Sequence, residues 1–172
     1  MRKVILIGYM ACGKSTVAKI LSAQLGIPYF DLDNLIEKKT KLSIENIFSE
    51  KGEIYFRRIE EELFKEFLCT NEVAILSTGG GTPCYANNHL LLNDEDVISV
   101  YLKASIDLLY ERLLSEKEQR PLVANKTQNE LKEYIAKHLF ERSYYYNQAT
   151  LKVLIDGKDP EEIADEIISL LI

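Results

Sequence analysis

The residues best suited to chemistry lie near the start of the chain, in the run Gly8-Tyr9-Met10-Ala11-Cys12-Gly13-Lys14-Ser15. This run has the spacing G-x-x-x-x-G-K-S of a phosphate-binding loop. Its glycines let backbone N–H groups turn inward around phosphate oxygens, and the N-terminus of a following helix adds partial positive charge. Lys14 can reach the β- and γ-phosphates, and the Ser15 hydroxyl can bind Mg²⁺. The run predicts a site for a nucleoside triphosphate rather than a ligand-free glycine-rich turn.

The sequence on either side of this run predicts the elements that such a loop requires. Residues 4–7 are all apolar, which is long enough for a buried parallel strand. After the loop, apolar residues recur on one face of a predicted helix, at Val17, Ile20, Leu21 and Leu25. The order is therefore strand, loop, helix.

Two carboxylates follow the second predicted strand, residues 27–30. Asp31 and Asp33 stand at its carboxyl end, the edge at which open α/β sheets bind ligands, and strand alternation would place both side chains on the same side. One could hold Mg²⁺ through water while the other accepts a hydrogen bond from a substrate hydroxyl. Capping of the next helix by Asp33 is the alternative, and the residue types leave both interpretations open.

Arg57 and Arg58 lie on a predicted helix, four residues before Glu61 and Glu62. This spacing is typical of surface ion pairs, which are worth only about 0.3–0.5 kcal/mol each, and we expect such a pair for Arg58.

Arg142 and the glycine run 79–81 occur in sequence contexts that are less common than the ion-pair spacing of Arg57 and Arg58. A guanidinium that continues an apolar stripe needs an anionic partner, either an Asp or Glu of the chain or a substrate carboxylate that matches its planar fork. The glycines follow the third predicted strand, residues 73–76, and would let backbone N–H groups approach a ligand closely, although a plain tight turn is the alternative. The stripe before Arg142 consists of Leu131, Ile135 and Leu139.

The rest of the chain predicts one α/β domain. Further strands at 97–102 and 151–155 alternate with helical segments, which indicates a parallel sheet with helices on both faces. The polar stretch 115–126 interrupts this pattern and is typical of a surface loop used as a lid. Thr127 and Glu130 have the spacing of a capping box for the next helix.

Composition excludes several other classes of function. A net charge of −6 argues against a nucleic-acid partner, and no apolar run approaches the ~20 residues of a membrane span. The chain enters a strand at once, so we expect no signal peptide and a cytoplasmic protein. Cys12, Cys69 and Cys84 lack C-x-x-C spacing, which indicates reduced thiols. The run at 125–128 reads Asn-Lys-Thr-Gln, without the Asp of a guanine-reading motif, and this disfavours a GTPase.

Taken in order, these motifs resemble those of shikimate kinases along essentially the whole chain. The resemblance implies a three-layer α/β/α fold of the P-loop, nucleoside monophosphate kinase type, with a five-stranded parallel sheet in the order 2-3-1-4-5. It implies one domain over residues 1–172, with a substrate-binding helical region at about 33–61 and a lid at about 115–127. The motifs are Gly8–Ser15, Asp31-x-Asp33, Gly52-x-x-x-Phe56-Arg57, Gly79-Gly80-Gly81, Arg120-Pro121-Leu122 and Arg142.

The resemblance also implies the reaction, which is transfer of the γ-phosphate of ATP to the 3-hydroxyl of shikimate, and the role of each residue. Lys14, Asp33 and Arg120 would be catalytic. Ser15 would bind Mg²⁺, and Asp31 would act on it through water. Arg112 would stack on adenine. The ATP-binding residues would be Ala11, Cys12, Gly13, Lys14, Ser15, Thr16, Arg112, Arg120 and Lys158. The shikimate-binding residues would be Asp33, Arg57, Gly79, Gly80, Gly81 and Arg142, with the two arginines on the carboxylate.

Two residues depart from the family pattern: Ala11 stands where glycine is usual, and Lys158 where an adenine-contacting arginine is common. Two alternatives to phosphorylation of shikimate stay open for a protein of this fold. The first is phosphorylation of another small molecule, as by a gluconate kinase, and the second is a nucleotide-dependent switch without catalysis. A neutral polyol substrate would leave two arginines of one pocket without a role. We expect ATP and shikimate as partners, no nucleic acid or membrane, and a monomer.

Overall fold

A computed structural model describes residues 2–116 and 121–171 of the chain. Their strands form one five-stranded sheet in which every pairing is parallel. The strand order is β2-β3-β1-β4-β5, which confirms the predicted order. The strands are β1 (Lys3–Ile7), β2 (Tyr29–Asp31), β3 (Ile75–Ser77), β4 (Val97–Lys103) and β5 (Leu151–Leu154).

Helices connect the strands, as parallel pairing requires. The central strand β1 is buried at every residue, so both faces of the sheet are covered. α1 packs against α8, and α5 packs against α7. The α-helices are α1 (Lys14–Leu25), α2 (Leu32–Thr40), α3 (Ile44–Glu50), α4 (Glu53–Cys69), α5 (Ile106–Ser115), α6 (Pro121–Ala124), α7 (Gln128–Tyr146) and α8 (Pro160–Leu171).

Local sequence explains where several helices begin and end. Gly26 ends α1 in the left-handed conformation, with φ of 67°. Ser43 and Ser105 accept backbone N–H hydrogen bonds at the starts of α3 and α5. The capping box of Thr127 and Glu130 opens α7, as predicted.

The second and third strands begin two residues later than predicted, at Tyr29 and Ile75. Pro28 has no N–H to give to a neighbouring strand, and its carbonyl accepts from the Ile75 N–H at the point where pairing begins.

The segment predicted as a lid is described only in part. α5 continues through Ser115 and α6 begins at Pro121. Residues 117–120, which include Arg120, lie outside the described residues. No described helix has the length and apolar character needed to cross a membrane.

Candidate active site

The phosphate-binding loop joins β1 to α1 at the carboxyl edge of the sheet. Gly8 has φ of 148°, and a Cβ there would lie 2.8 Å from Cys12 Sγ and 2.9 Å from the Leu102 carbonyl oxygen. No side chain fits at this position, so the first glycine of the motif is required by space as well as by conformation. Gly13, the second glycine, lies at the N-terminus of α1 with φ of 94°.

Lys14 is buried inside the loop rather than extended into solvent. Its Nζ donates to the carbonyl oxygens of Gly8 at 2.8 Å and of Tyr9 at 3.0 Å. The ammonium therefore stands within the curve of the loop, where the sequence predicts the positive charge that meets phosphate.

Asp31 ends β2 and is the N-cap of α2. Its Oδ1 accepts from the backbone N–H groups of Asp33 at 3.0 Å and Asn34 at 3.4 Å. Asp33 lies in the first turn of α2, so the prediction that the two carboxylates share one face of a strand is wrong, as is capping by Asp33. The physical reason is that an Asp side chain readily bonds the backbone two or three residues on and thereby starts the helix.

Ser15 and Asp31 together could hold a magnesium ion. Ser15 Oγ donates to Asp31 Oδ2 at 2.6 Å, and Ser77 Oγ lies 3.2 Å from Ser15 Oγ. Mg²⁺ takes one or two protein oxygens and completes its shell with water and substrate phosphate oxygens. A hydroxyl and a carboxylate beside a phosphate-binding loop fit that requirement.

The surroundings of the Asp33 carboxyl group disfavour its ionised form. Burial, with the negative charges of Asp31 and Glu60, raises the pKa of Asp33 to about 6. Its Oδ1 would lie 3.5 Å from a Cβ at Gly79, which places it beside the glycine run. A carboxylate with a raised pKa is a stronger proton acceptor than an ordinary one, which suits contact with a substrate hydroxyl.

Two guanidinium groups pack against the same glycine run from different helices. A Cβ at Gly81 would lie 2.7 Å from Arg57 Nη2 on α4, and a Cβ at Gly80 would lie 3.3 Å from Arg142 Nη1 on α7. Side chains at these glycines would displace the arginines. The run forms a hydrogen-bonded turn, in which the Thr82 N–H donates to the Gly79 carbonyl oxygen at 3.2 Å, and the two guanidinium groups lie against that turn.

Arg57 has partners that the sequence interpretation missed. Its Nη1 lies 2.8 Å from Oε1 of Glu60, whose other oxygen accepts from Thr82 Oγ1 at 2.8 Å. Glu60 is only 1% exposed, and its position three residues after Arg57 was the available signal. Glu53 also lies near Arg57, with an oxygen 3.6 Å from its Nε.

The ion pairs expected on the outer face of α4 have different partners. Glu61 pairs with Lys65, and Glu62 pairs with Lys39, so the surface ion pair predicted for Arg58 is wrong. The exposed Arg58 instead lies over the Tyr55 ring, 5.4 Å from its centroid. A lysine one turn along α4 and another on α2 reach these carboxylates.

Arg142 differs from Arg57 in its partners. Its Cζ lies 5.5 Å from the centroid of the Tyr9 ring. Among residues 2–116 and 121–171, no Asp or Glu lies within ion-pair distance of Arg142. Of the two partners that the sequence left open, this geometry favours a ligand anion.

Comparison with known proteins identifies the family. The family model described as shikimate kinase matches residues 10–172. A shikimate kinase of Flavobacterium johnsoniae is 56% identical over 171 residues, which cover 99% of each chain. The chain belongs to the shikimate kinase family.

Solved structures agree with this assignment. Shikimate kinase from Bacteroides thetaiotaomicron superposes with a TM-score of 0.90 at 33% identity, covering 99% of this chain and 98% of that one. Shikimate kinase from Acinetobacter baumannii, solved in complex with shikimate, has a TM-score of 0.88 at 29% identity and covers 99% and 93%. A gluconokinase from Sinorhizobium meliloti has a TM-score of 0.60 at 16% identity over 98% and 90%, which shows the shared fold alone.

A cavity of about 550 Å³ brings most of the predicted shikimate kinase site together. It extends from the phosphate-binding loop to the glycine run. Its lining includes Ala11, Cys12, Gly13, Lys14, Ser15, Thr16, Asp31, Asp33, Gly79, Gly80 and Arg112. Arg57 lines a neighbouring cavity of about 460 Å³ together with Arg58 and Tyr85.

Two of the cations expected at adenine have protein partners in this structure. Arg112 Nη1 donates to the Ala11 carbonyl oxygen at 3.0 Å, which places its guanidinium at the mouth of the loop. Lys158 Nζ donates to the Leu154 carbonyl oxygen at 2.8 Å and pairs with Glu166, and Lys158 does not line the larger cavity. An adenine contact by Lys158 stays a prediction.

Proposed function

We propose that the protein transfers the γ-phosphate of ATP to the 3-hydroxyl of shikimate, giving shikimate 3-phosphate and ADP. The observation that carries this proposal is that Asp33, Arg142 and Arg57 lie against Gly79, Gly80 and Gly81 in turn, and that Gly79 and Gly80 line the same cavity as the phosphate-binding loop. Shikimate has a carboxylate for the arginines and hydroxyls for Asp33, so one molecule satisfies all three groups.

In this proposal Arg57 and Arg142 bind the carboxylate and set the direction of the ring. Asp33 accepts a hydrogen bond from the ring hydroxyls and orients the attacking oxygen. Its raised pKa also suits it to take the proton of that hydroxyl as the oxygen–phosphorus bond forms. Backbone N–H groups of Gly79, Gly80 and Gly81 approach the bound acid closely.

The nucleotide half of the proposal rests on the loop. Backbone N–H groups of residues 11–16 surround the phosphates, and Lys14 neutralises charge on the β- and γ-phosphates. Mg²⁺, held by Ser15 and through water by Asp31, supplies further neutralisation of the phosphate charge when it is bound. Positioning and charge stabilisation account for most of the catalysis, because the transition state of phosphoryl transfer is loose.

Three cations complete the nucleotide site in this proposal: Arg112 stacks on adenine, Lys158 contacts it from the loop after β5, and Arg120 acts on the transferring phosphoryl group. Arg120 belongs to a lid at about 115–127 that closes over the bound substrates. We further propose a cytoplasmic monomer that binds neither nucleic acid nor membrane, in keeping with its net charge of −6.

A coupled assay of ADP release tests the function directly. The protein is supplied with MgATP and either shikimate or gluconate, with the Lys14→Ala variant as the blank. Shikimate-dependent release, absent from the blank and at least tenfold faster than with gluconate, is the expected result. Faster turnover of gluconate than of shikimate would overturn the proposal and indicate a gluconate kinase. Nucleotide binding without turnover of either acceptor would favour the switch.

A further inference from the structure

Tyr9 lies inside the phosphate-binding loop, but the proposed reaction gives no role to its side chain. The side chain is 1% exposed and is directed at α7. Its hydroxyl oxygen lies 2.9 Å from Nδ1 of His138, which makes a hydrogen bond between the loop and that helix. A phenylalanine would fill the same space without this bond, so the hydroxyl calls for an explanation of its own.

His138 stands one helical turn before Arg142, on the same face of α7. The Tyr9 ring therefore contacts two successive turns: its hydroxyl reaches His138, and its centroid lies 5.5 Å from Arg142 Cζ. The Tyr134 ring also packs against the imidazole, with centroids 4.1 Å apart. The imidazole is thus in contact with two tyrosines.

A second hydrogen bond holds α7 one turn beyond Arg142. Tyr146 Oη donates to the Gly80 carbonyl oxygen at 2.6 Å. Arg142 consequently lies between two anchors on one helical face, the first to the phosphate-binding loop and the second to the glycine run. These two hydrogen bonds join α7 to the two loops of the site, in addition to the packing of α7 against α5 and the burial of its apolar residues.

The protonation states of Tyr9 and His138 favour the hydrogen bond between them. Burial raises the pKa of Tyr9, which keeps its hydroxyl protonated. Burial and the charge of Arg142 lower the pKa of His138, so the ring is neutral at pH 7 and Nδ1 can accept from the hydroxyl. The other charged groups that act on His138 are Glu141, Lys137 and Lys126.

We propose that Tyr9 and His138 are positioning residues, whose hydrogen bond sets the place of the Arg142 guanidinium over the glycine run. The inference rests on the proposed function, because Arg142 is taken to bind the substrate carboxylate. A loop residue of the nucleotide site would then contribute to affinity for the acceptor acid. Neither residue touches the reacting atoms.

The Tyr9→Phe variant tests the bond with the least change in volume. Loss of one neutral hydrogen bond should raise the KM for shikimate about three- to tenfold. The kcat and the KM for ATP should change less than twofold, because the backbone of the loop and Lys14 are untouched. His138→Ala should have a similar effect, and His138→Asn should recover part of the affinity because its amide can occupy the place of Nδ1.

The double variant Tyr9→Phe/His138→Ala decides whether the two residues act through each other. Its KM for shikimate should be no higher than that of the more affected single variant, whereas independent effects would multiply. Tyr144→Phe is the matched control, since this tyrosine lies on the same helix but is 63% exposed. We expect the control to leave both KM values unchanged.

The outcomes separate this inference from the function on which it rests. An active wild-type enzyme whose Tyr9→Phe variant keeps its KM for shikimate, or loses affinity for both substrates equally, overturns the positioning role alone. If Tyr9→Phe does not fold, the comparison of His138→Asn with His138→Ala decides, and equal KM values would overturn the inference. A wild-type protein without shikimate turnover overturns both proposals.

Discussion

Ala11 carries a backbone conformation that its side chain disfavours. Its φ is 64°, in the left-handed region, at the position where the family resemblance implies glycine. The left-handed conformation costs a non-glycine residue roughly 1–2 kcal/mol. Glycine avoids this cost, but its greater conformational freedom in the unfolded state offsets about half of the gain. We therefore expect Ala11→Gly to stabilise the protein by about 0.5–1 kcal/mol in urea unfolding.

The exposed Ala23 in the last turn of α1 provides the control for this substitution. Ala23→Gly should destabilise by about 1 kcal/mol, since helical φ favours alanine over glycine. A loss of stability in both variants would show that the left-handed φ of Ala11 stores no strain.

Asp33 should govern the acid limb of the pH–rate profile. If the ionised carboxylate orients the acceptor hydroxyl, kcat/KM for shikimate should fall about tenfold per pH unit below the pKa of about 6. The same limb should vanish from the residual activity of Asp33→Asn. A limb near pH 4, typical of an unperturbed carboxyl, would contradict the raised pKa.

The same raised pKa has a consequence for stability. The folded state binds the Asp33 proton more tightly than the unfolded state, so its contribution is present below about pH 4 and is lost as the pH rises through about 6. Asp33→Asn should therefore be more stable than wild type at pH 8, by up to about 3 kcal/mol, and nearly equal to it at pH 4. Urea unfolding at both pH values measures this, with the exposed Glu72→Gln as control.

Residue types and order predicted the loop, the glycine run and the inward position of Arg142, because each of these follows from chemistry that a sequence shows. A role for Arg57 at the acceptor site was implied only by the family resemblance. The sequence left the partners of those residues open. Glu60 was missed because burial of a carboxylate depends on Thr82, which is distant in the chain. Asp31 and Asp33 were misplaced because the capping hydrogen bonds that the Asp31 side chain accepts, rather than periodicity, decide where β2 ends and α2 begins.

Among the elements, α7 contributes most to the proposed acceptor site, since it carries Arg142 and both of its anchors. Its start depends on Thr127, whose side chain accepts from the Glu130 N–H. Thr127→Ala should destabilise the protein by about 1 kcal/mol, the usual cost of losing an N-cap. Ser143→Ala, at the exposed far end of the same helix, should change the free energy of unfolding by less than half as much. Equal losses would contradict the cap as the source.

Elements with strong local signals were predicted closely, and weaker ones were not. The strand β1 and the helix α1 are bounded by the loop, and α7 begins directly after the capping residue Thr127, as predicted. The short strands β2 and β3 have three residues each, so their limits depend on pairing with neighbouring strands and, for β2, on Pro28 and on the capping by Asp31.

At the scale of the whole molecule, the strand order determines which loops of the candidate site lie next to each other. β1 lies between β3 and β4, so the phosphate-binding loop emerges beside the glycine run that follows β3. In open α/β sheets ligands bind at such a carboxyl edge. Periodicity could not supply this order; the resemblance to a family implied it, and the pairing confirms it.

The central claim is that a carboxylate on the acceptor is bound by arginine, and one comparison of kcat/KM tests it most directly. The assay uses shikimate and a triol analogue without the carboxylate, with the wild type, Arg142→Ala and Arg58→Ala. A charge-assisted contact is worth about 1.5–3 kcal/mol, so wild type should prefer shikimate roughly 10- to 200-fold. Arg142→Ala should lose most of that preference while its activity on the triol changes little, and Arg58→Ala should behave as wild type. Equal activity of the wild type on shikimate and the triol would contradict the claim.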